Sequence, residues 1–347
     1  MTAAPGAPAG GARTIGQFWG VVHGLTGYFS VLAADELGVF TCLAEGPADA
    51  ATVAARCGAD PGRMLALLGG NVAAGALECS EGRFSLAPLA ADHLVAGAPG
   101  YLGALLRHSP GPLGNWEALA ATVRGAPPPR DVGREEGQFL AELVAATFPV
   151  QLAVARAVVG GWAASRLPGD ARLLELGAGA APWAVALLAA RPGATAVVND
   201  LPGVLPEAER SLAAHGVGER ATLAPGSYWE VPLPEAAFDV AVLAHVCRAE
   251  GDEGAAALVR RAAGALAPGG WLLLAEYLLD NDLSGPAQAQ LLGVTMAAST
   301  ARGATFTRGQ AAAWLEGAGL VPQGEVPAVP PTTVLAARKP GGDEGAA

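Results

Sequence analysis

The sequence is poor in positive charge. Its 347 residues include 21 Lys and Arg against 32 Asp and Glu, which gives a net charge of −11. Nucleic-acid binding needs a basic footprint that neutralises phosphates, and no Lys/Arg stripe is present. We therefore expect no nucleic-acid partner, and binding to an anionic membrane surface is disfavoured for the same reason.

Cysteine is scarce and widely spaced. Cys42, Cys57, Cys79 and Cys247 form no Cys-x-x-Cys pair, and no two histidines stand at metal-ligand spacing. This pattern predicts reduced thiols in a cytoplasmic protein and no metal site. The N-terminal MTAAPGAPAGGAR lacks the apolar core of a secretory signal. No apolar run reaches the length of a membrane helix, about 18 residues, without Gly or charge, so we expect no membrane partner.

The N-terminal third has the order of a winged-helix domain. Apolar residues from Phe18 onward recur at helical spacing. A short helix over Asp49–Arg56 follows, and Asp60 begins another as its cap, with proline next. Residues 76–86 read as a hairpin with a polar tip. Such domains often bind DNA, but here the second helix and the hairpin each carry a single arginine, so we favour an interaction or dimerisation module.

The rest of the chain changes pattern near residue 169. The stretch Phe139–Trp162 is a long apolar helix that we expect to kink or divide at Pro149. Strands and helices then alternate, which predicts an α/β fold with a mostly parallel sheet covered by helices on both faces. The predicted regions are a tail (1–13), a winged-helix domain (14–100), a helical linker with pocket helices (101–168), a sheet domain (169–340) and a second tail (341–347).

The turn after the first sheet strand reads ELGAGAAP, from Glu175 to Pro182. A dinucleotide fingerprint needs a small residue where Pro182 stands, and the helix start lacks the Gly-Lys-Ser/Thr of a phosphate loop. Glu175 would repel a diphosphate but suits a ligand with a cationic amino-acid tail. Gly177 and Gly179 allow the backbone to approach that ligand closely.

A second acid, Asp200, ends the next strand, 25 residues after Glu175. A carboxylate there can accept both hydroxyls of a ribose, and Leu201 after it can lie against adenine. Together the two acids predict S-adenosylmethionine (SAM) as the cofactor. The alternative is that both acids only cap helices.

At this point the residues resemble a known family. Its features are GVF after the first helix, FSLAPLAADHLV after the wing, LLELGAGA, NDLP, GSYW, FDVAVLAHVCRAEGDE, LAPGGWLLLAE and TRGQAAAWLEGAGL. The chain resembles the class I SAM-dependent methyltransferases, and within them the plant-type small-molecule O-methyltransferases that also occur in bacterial natural-product pathways. The resemblance implies a Rossmann-like SAM-binding domain and a homodimer formed through the N-terminal winged-helix domain.

The resemblance also assigns cofactor residues. It implies that Glu175, Gly177 and Gly179 surround the methionine portion, that Asp200 holds the ribose and that Leu201 packs on the adenine. In GSYW the family usually has Asp after the glycine, where this chain has Ser227, a weaker acceptor for the adenine amine. Tyr228 follows it and is included in the predicted cofactor site.

The catalytic position departs from the family pattern. Arg248 stands where the family usually places a histidine base, and His245 lies three residues earlier. Of the two acids that support that base, one matches Glu276, while the other falls near Thr305 and is absent. A register shift of three residues would restore His245 as the base.

A guanidinium cannot remove a proton at neutral pH. Because the methyl group of SAM is already activated, holding an O-, N- or C-acceptor in line can supply much of the rate. Arg248 would then hold an acidic or phenolate oxygen and lower its pKa. Glu276 would orient the substrate or take a proton through water.

The acceptor is expected to be a small aromatic or polycyclic secondary metabolite. Residues expected to face it are Tyr28, His108, Trp116, Phe148 and Thr305. Other functions stay open at this stage. They are a non-methylating SAM-binding enzyme such as a decarboxylase, hydroxylase or cyclase, a non-catalytic SAM- or DNA-binding regulator, and a nicotinamide oxidoreductase.

Overall fold

The computed structural model describes residues 14–98, 100–108, 111–132 and 138–341. The chain divides into two compact units, Met1–Ser109 and Pro110–Ala347. The long apolar helix around Pro149 therefore belongs to the second unit.

The N-terminal unit combines helices with a small antiparallel sheet. Its helices are α1 (Ile15–Glu36), α2 (Val39–Leu43), α3 (Ala50–Cys57), α4 (Pro61–Ala73), α5 (Pro88–His93) and α6 (Gly103–His108). Its strands are β1 (Ala48–Asp49), β2 (Leu77–Ser80) and β3 (Arg83–Leu86), in the order β1-β3-β2. The predicted sequence of helix, helix and hairpin is confirmed.

Capping residues fix the two central helices of this unit. The Asp49 carboxylate accepts the Thr52 N–H at 2.8 Å, and the Asp60 carboxylate accepts the Arg63 N–H at 2.9 Å. Such caps satisfy backbone donors that a helix start leaves unpaired. The helices then bury an apolar core between them and the hairpin. Its buried side chains include Phe40, Leu43, Val53, Met64, Leu68 and Phe84.

The C-terminal unit contains the large sheet. Its helices are α7 (Leu113–Glu117), α8 (Leu119–Val123), α9 (Gln138–Gly160), α10 (Pro182–Ala190), α11 (Leu205–Ala214), α12 (Cys247–Ala265), α13 (Ala287–Ser299) and α14 (Arg308–Gly317). Its strands are β4 (Arg172–Leu176), β5 (Thr195–Asp200), β6 (Ala221–Pro225), β7 (Phe238–Ala244), β8 (Leu266–Glu276), β9 (Val321–Val326) and β10 (Thr333–Arg338).

The sheet has the strand order β6-β5-β4-β7-β8-β10-β9. Strands β4 to β8 pair in parallel, whereas β10 is antiparallel to both of its neighbours. The strand order reverses direction between β4 and β7. A crevice forms at the carboxyl ends of the strands at such a switch point, so the predicted mostly parallel, Rossmann-like architecture is confirmed.

Successive strand residues point to opposite faces of the sheet, and both faces are apolar. Leu173 and Val198 lie in a core shared with α9, α10 and α11. Leu174 and Leu243 lie in a core shared with α12 and α14. The region Phe139–Ser165 is long and apolar enough to cross a membrane by length and composition, but its residues also build the first of these cores. We read it as a core helix.

Several elements differ from the sequence-based expectation. Helix α9 continues through Pro149 as one helix. The sequence pattern predicts a helix over Glu253–Leu266, whereas α12 begins at Cys247 and contains a non-helical residue, Gly251, with φ 71° and ψ 176°. The Pro268-Gly269-Gly270 turn predicts a strand over Trp271–Leu279, whereas β8 begins at Leu266, because Leu266 already pairs with Phe238.

Candidate active site

The carboxyl ends of β4, β5, β7 and β8 carry most of the predicted site residues. Parallel strands bring these ends to one edge of the sheet. The edge therefore joins the turn after β4, Asp200 at the end of β5, His245 after β7 and Glu276 at the end of β8.

The turn after β4 requires two glycines. Gly177 and Gly179 have φ values of 63° and 56°, in the left-handed region where a side chain is strained. A Cβ on Gly177 would lie 2.4 Å from Cγ1 of Val246, and one on Gly179 would lie 3.3 Å from Cβ of Val144. Neighbouring side chains thus pack directly against the turn backbone.

Asp200 connects β5 to this turn. Its Oδ2 accepts the Gly179 N–H at 2.7 Å, and its Oδ1 accepts the Leu201 N–H at 2.7 Å. Its residue surface is 9% exposed, and burial raises its pKa although both N–H groups oppose that shift. An ionised carboxylate has about four acceptor positions. Asp200 therefore keeps positions for the two hydroxyls of a ribose.

The carboxylate of Glu175 is hydrogen-bonded to the protein backbone. Its oxygens accept the backbone N–H groups of Trp183 and Ala184 at 3.2 and 2.8 Å, so it caps the start of α10. It is 1% exposed, and burial raises its pKa to about 8. These contacts account for the residue without a ligand, and its expected interaction with the methionine portion of SAM stays a prediction.

The segment after β6 contains Ser227 and Tyr228. The Ser227 hydroxyl accepts the Trp229 N–H at 3.2 Å, a local turn bond. The Tyr228 hydroxyl donates to Oε1 of Glu250 at 2.5 Å, and burial together with Glu250 raises the tyrosine pKa. Tyr228 also lies against Gly177, because a Cβ there would be 3.4 Å from Cδ1 of the ring. This places Tyr228 beside the glycine turn that follows β4.

The three predicted catalytic residues are brought together. Nδ1 of His245 and Nε of Arg248 lie 3.5 and 3.6 Å from Oε2 of Glu276. Oε1 of Glu276 accepts the Arg248 backbone N–H at 3.2 Å, and Nε of Arg248 donates to the His245 carbonyl at 3.1 Å. His245 takes φ 60°, which turns the chain sharply between β7 and α12. The result is a compact cluster of one cation, one anion and one imidazole.

The charges within this cluster shift the pKa values of Glu276 and His245. Burial raises the pKa of Glu276, but Arg248, His245 and a backbone N–H together outweigh it, so the net pKa is lowered. Burial, with help from Arg248, lowers the pKa of His245. At neutral pH the cluster therefore contains an ionised Glu276 and a neutral His245.

The remaining predicted residues are spread over both units. In the N-terminal unit, the Tyr28 hydroxyl donates to the Leu106 carbonyl at 2.6 Å, and His108 ends α6. In the C-terminal unit, Trp116 lies on α7, and the Phe148 ring packs 5.8 Å from the His215 ring. Their roles toward a substrate stay predictions.

Thr305 and Leu201 also belong to the C-terminal unit. Thr305 lies against α13, because a Cβ on Gly293 would be 2.7 Å from its hydroxyl. Leu201 follows Asp200 directly and is half-buried.

Sequence reasoning missed two residues next to the site. Tyr277 follows Glu276; its ring centroid is 5.2 Å from the His245 ring and 5.5 Å from Cζ of Arg248. Glu250 anchors Tyr228. Tyr277 could have been found from its place just after a strand end, whereas the Glu250 contact depends on the fold of the chain around Gly251.

Two family models match the chain. One describes an O-methyltransferase domain and covers residues 141–321, and the other describes an O-methyltransferase dimerisation domain and covers residues 19–96. The chain belongs to the O-methyltransferase family. It is accordingly a SAM-dependent methyltransferase, which favours methyl transfer over the alternative functions considered above.

Individual relatives agree with this family. The chain is 31% identical over 297 residues to a 3-hydroxy-5-methyl-1-naphthoate 3-O-methyltransferase from Streptomyces sahachiroi, covering 84% of this chain and 85% of the relative. It is 27% identical over 316 residues to the tetracenomycin polyketide synthesis 8-O-methyl transferase TcmO from Streptomyces glaucescens, covering 90% and 93%. The crystal structure of human N-acetylserotonin methyltransferase in complex with SAM is similar, with a TM-score of 0.80, 26% identity and coverage of 96% and 100%.

Proposed function

We propose that this methyltransferase transfers the SAM methyl group to a small aromatic secondary metabolite, and that it works by positioning the acceptor rather than by a histidine base. The observation that supports the proposal best is the common edge of the sheet. There the Asp200 and glycine-turn region adjoins a cluster in which Arg248 replaces the usual histidine. The two Streptomyces relatives, named for a naphthoate and for tetracenomycin polyketide synthesis, support an aromatic acceptor.

The cofactor residues in this proposal fit SAM chemically. Asp200 would hold the ribose hydroxyls, Gly177 and Gly179 would allow the backbone to approach the methionine portion, and Leu201 with Tyr228 would pack against the nucleoside. The turn offers no Lys or Arg for a diphosphate. When bound, SAM supplies an activated sulfonium methyl group.

We also propose a homodimer formed through the N-terminal unit, acting in the cytoplasm. Helix α1 presents many large apolar side chains that nothing covers within the described part of its unit. The exposed residues are Ile15, Phe18, Trp19, Val21, Val22, Leu25 and Phe29. A large exposed apolar surface of this kind marks an interaction site, and the dimerisation-domain match spans most of it.

The test of the proposed reaction uses methyl-labelled SAM. The enzyme is incubated with a panel of hydroxylated naphthoates, hydroxylated anthraquinones and aliphatic alcohols, and labelled products are separated by chromatography. We expect label in an aromatic product and formation of S-adenosylhomocysteine (SAH), both lost in Asp200→Ala. Release of SAH without labelled product, or label on a non-aromatic acceptor alone, contradicts the proposal.

A further inference from the structure

The cluster at the ends of β7 and β8 contains only one acid, and its oxygens are turned inward. Glu276 is 2% exposed, with Oε1 bonded to the Arg248 N–H and Oε2 beside His245 and Arg248. A carboxylate enclosed in this way cannot touch a ligand, so Glu276 serves to hold its two neighbours.

The ring nitrogens of His245 are also enclosed, although its side chain is 9% exposed. Both ring nitrogens are buried and make no hydrogen bond within the described residues. The Nδ1 atom faces Glu276, and the ring edge packs against Tyr277. As long as the cluster keeps this arrangement, the imidazole has no path to a proton on a bound acceptor.

Arg248 is the most exposed member of the cluster. Its side chain is 18% exposed, and Nε is already bonded to the His245 carbonyl. Its two terminal Nη atoms make no hydrogen bond to any residue in the described ranges of the chain. A guanidinium presents its Nη atoms as a planar fork that matches two neighbouring oxygens.

Tyr277 adds a second donor beside this fork. Its half-buried ring lies 5.5 Å from Cζ of Arg248. Burial raises the pKa of the hydroxyl, so it stays protonated at neutral pH and can donate a hydrogen bond. Both polar groups that this cluster offers to a ligand can therefore donate, and since the guanidinium can only donate, the matching ligand atoms are acceptors.

On the basis of the function proposed above, we propose that Arg248 binds an acceptor carrying an aromatic hydroxyl next to a carbonyl oxygen, and that the hydroxyl is methylated in its ionised form. The fork takes the place of the proton that such an oxygen pair shares, and its positive charge favours the phenolate. An amine acceptor would point its own donors at the fork and is disfavoured.

The step balances without a protein base. The hydroxyl proton leaves to solvent when the acceptor ionises against Arg248. The phenolate oxygen then forms the bond to the methyl carbon as the carbon–sulfur bond breaks, and the electron pair of that bond remains on sulfur. The products are an aryl methyl ether and SAH.

The experiment compares 1-hydroxyanthraquinone, whose hydroxyl adjoins a carbonyl, with 2-hydroxyanthraquinone, whose hydroxyl does not. Both absorb visible light differently when ionised, so the pKa of the bound hydroxyl is read from spectra at saturating SAH. We expect the full-length enzyme to bind the 1-isomer at least tenfold more tightly than the 2-isomer. We also expect the hydroxyl pKa of the bound 1-isomer to lie at least one unit below that of the free compound.

Three variants test the role of the two Nη atoms of Arg248. Arg248→Gln should lose both the preference and the pKa shift. Arg248→Lys, which keeps the charge without the fork, should lose the preference but retain part of the shift. Arg260→Gln removes an exposed arginine from the same helix and should change neither.

The outcomes separate this inference from the proposed function. SAH affinity is measured by calorimetry in every variant and should change less than twofold. Failure of the wild-type enzyme to bind SAH contradicts the proposed function. Normal SAH binding with no binding of the 1-isomer, equal binding of the two isomers, or an unchanged bound pKa in Arg248→Gln overturns the inference alone.

Discussion

The carboxylate of Asp200 holds the backbone of Gly179. The 2.7 Å bond from the Gly179 N–H to Oδ2 ties the end of β5 to the turn after β4. The acid that we assign to the ribose therefore also shapes the turn that we assign to the methionine portion. Changes at either residue should affect the cofactor as a whole rather than one part of it.

Replacing Asp200 tests this link. We expect Asp200→Ala to weaken SAH binding at least tenfold, about 1.4 kcal/mol, because it removes the ribose acceptor and frees the Gly179 N–H. Calorimetric titration with SAH measures the change. Asp239→Ala is the control, since Asp239 is the second residue of β7, at the amino ends of the parallel strands, and pairs with Arg172 at 3.1 Å. Equal losses in the two variants would show a general folding defect.

Gly177 tests how tightly the turn is packed. Gly177→Ala should reduce SAH affinity and thermal stability, because its Cβ would overlap Val246 at 2.4 Å. Gly216→Ala is a matched control: Gly216 has φ 67°, but no atom lies within 4 Å of the added Cβ. Both variants bear the left-handed backbone cost, roughly 1 kcal/mol. If both melt at the same temperature and bind SAH equally, packing around Gly177 is not the constraint.

Glu175 makes the stability of the C-terminal unit depend on pH. Burial raises its folded pKa to about 8 from the usual 4.5. Between these values the folded state keeps a proton that the unfolded chain has lost, so this group lowers stability as pH rises. Glu175→Gln removes the titration. Urea unfolding at pH 5 and pH 8.5 should show wild type losing stability relative to the variant at the higher pH, and a constant difference would refute the assignment.

The exposed face of α1 predicts an oligomer that charge can disrupt. Val21 and Leu25 are 76% and 64% exposed in the N-terminal unit. The double variant Val21→Glu and Leu25→Glu should convert a dimer to a monomer in sedimentation velocity. Leu291→Glu, on the 68% exposed Leu291 of α13, should leave the dimer intact. A wild-type monomer, or a variant that stays dimeric, would remove α1 from the interface.

The sequence predicted where the residues assigned to the cofactor lie in the fold, while their contacts with SAM stay a prediction. Strand ends fix where Gly177 and Asp200 must lie, because parallel strands bring their carboxyl ends together. The elements of the N-terminal unit were predicted from caps such as Asp60 and from the polar tip of the hairpin. These signals are visible in the sequence because they act over only a few residues.

The rest depended on contacts between distant residues. No local pattern shows that Trp183 and Ala184 take both oxygens of Glu175, or that Glu276 is enclosed by Arg248 and His245. Helix α13 was not predicted, because its own sequence mixes small and apolar residues without apolar positions at clear helical spacing. The Pro268-Gly269-Gly270 turn signal corresponds to an interruption in the pairing with β7, which resumes at Trp271 after a register shift.

The break at Gly251 divides α12 into two parts that serve different purposes. Its φ of 71° and ψ of 176° belong to a conformation that essentially only glycine adopts. The residues before the break, including Arg248, therefore do not continue the helix that follows Gly251, although Cys247 among them is buried in the same core. The short piece before the break places Arg248 beside Glu276 and Glu250 beside Tyr228, so this one glycine conformation governs how the acceptor-binding and nucleoside-binding sides of the pocket are aligned.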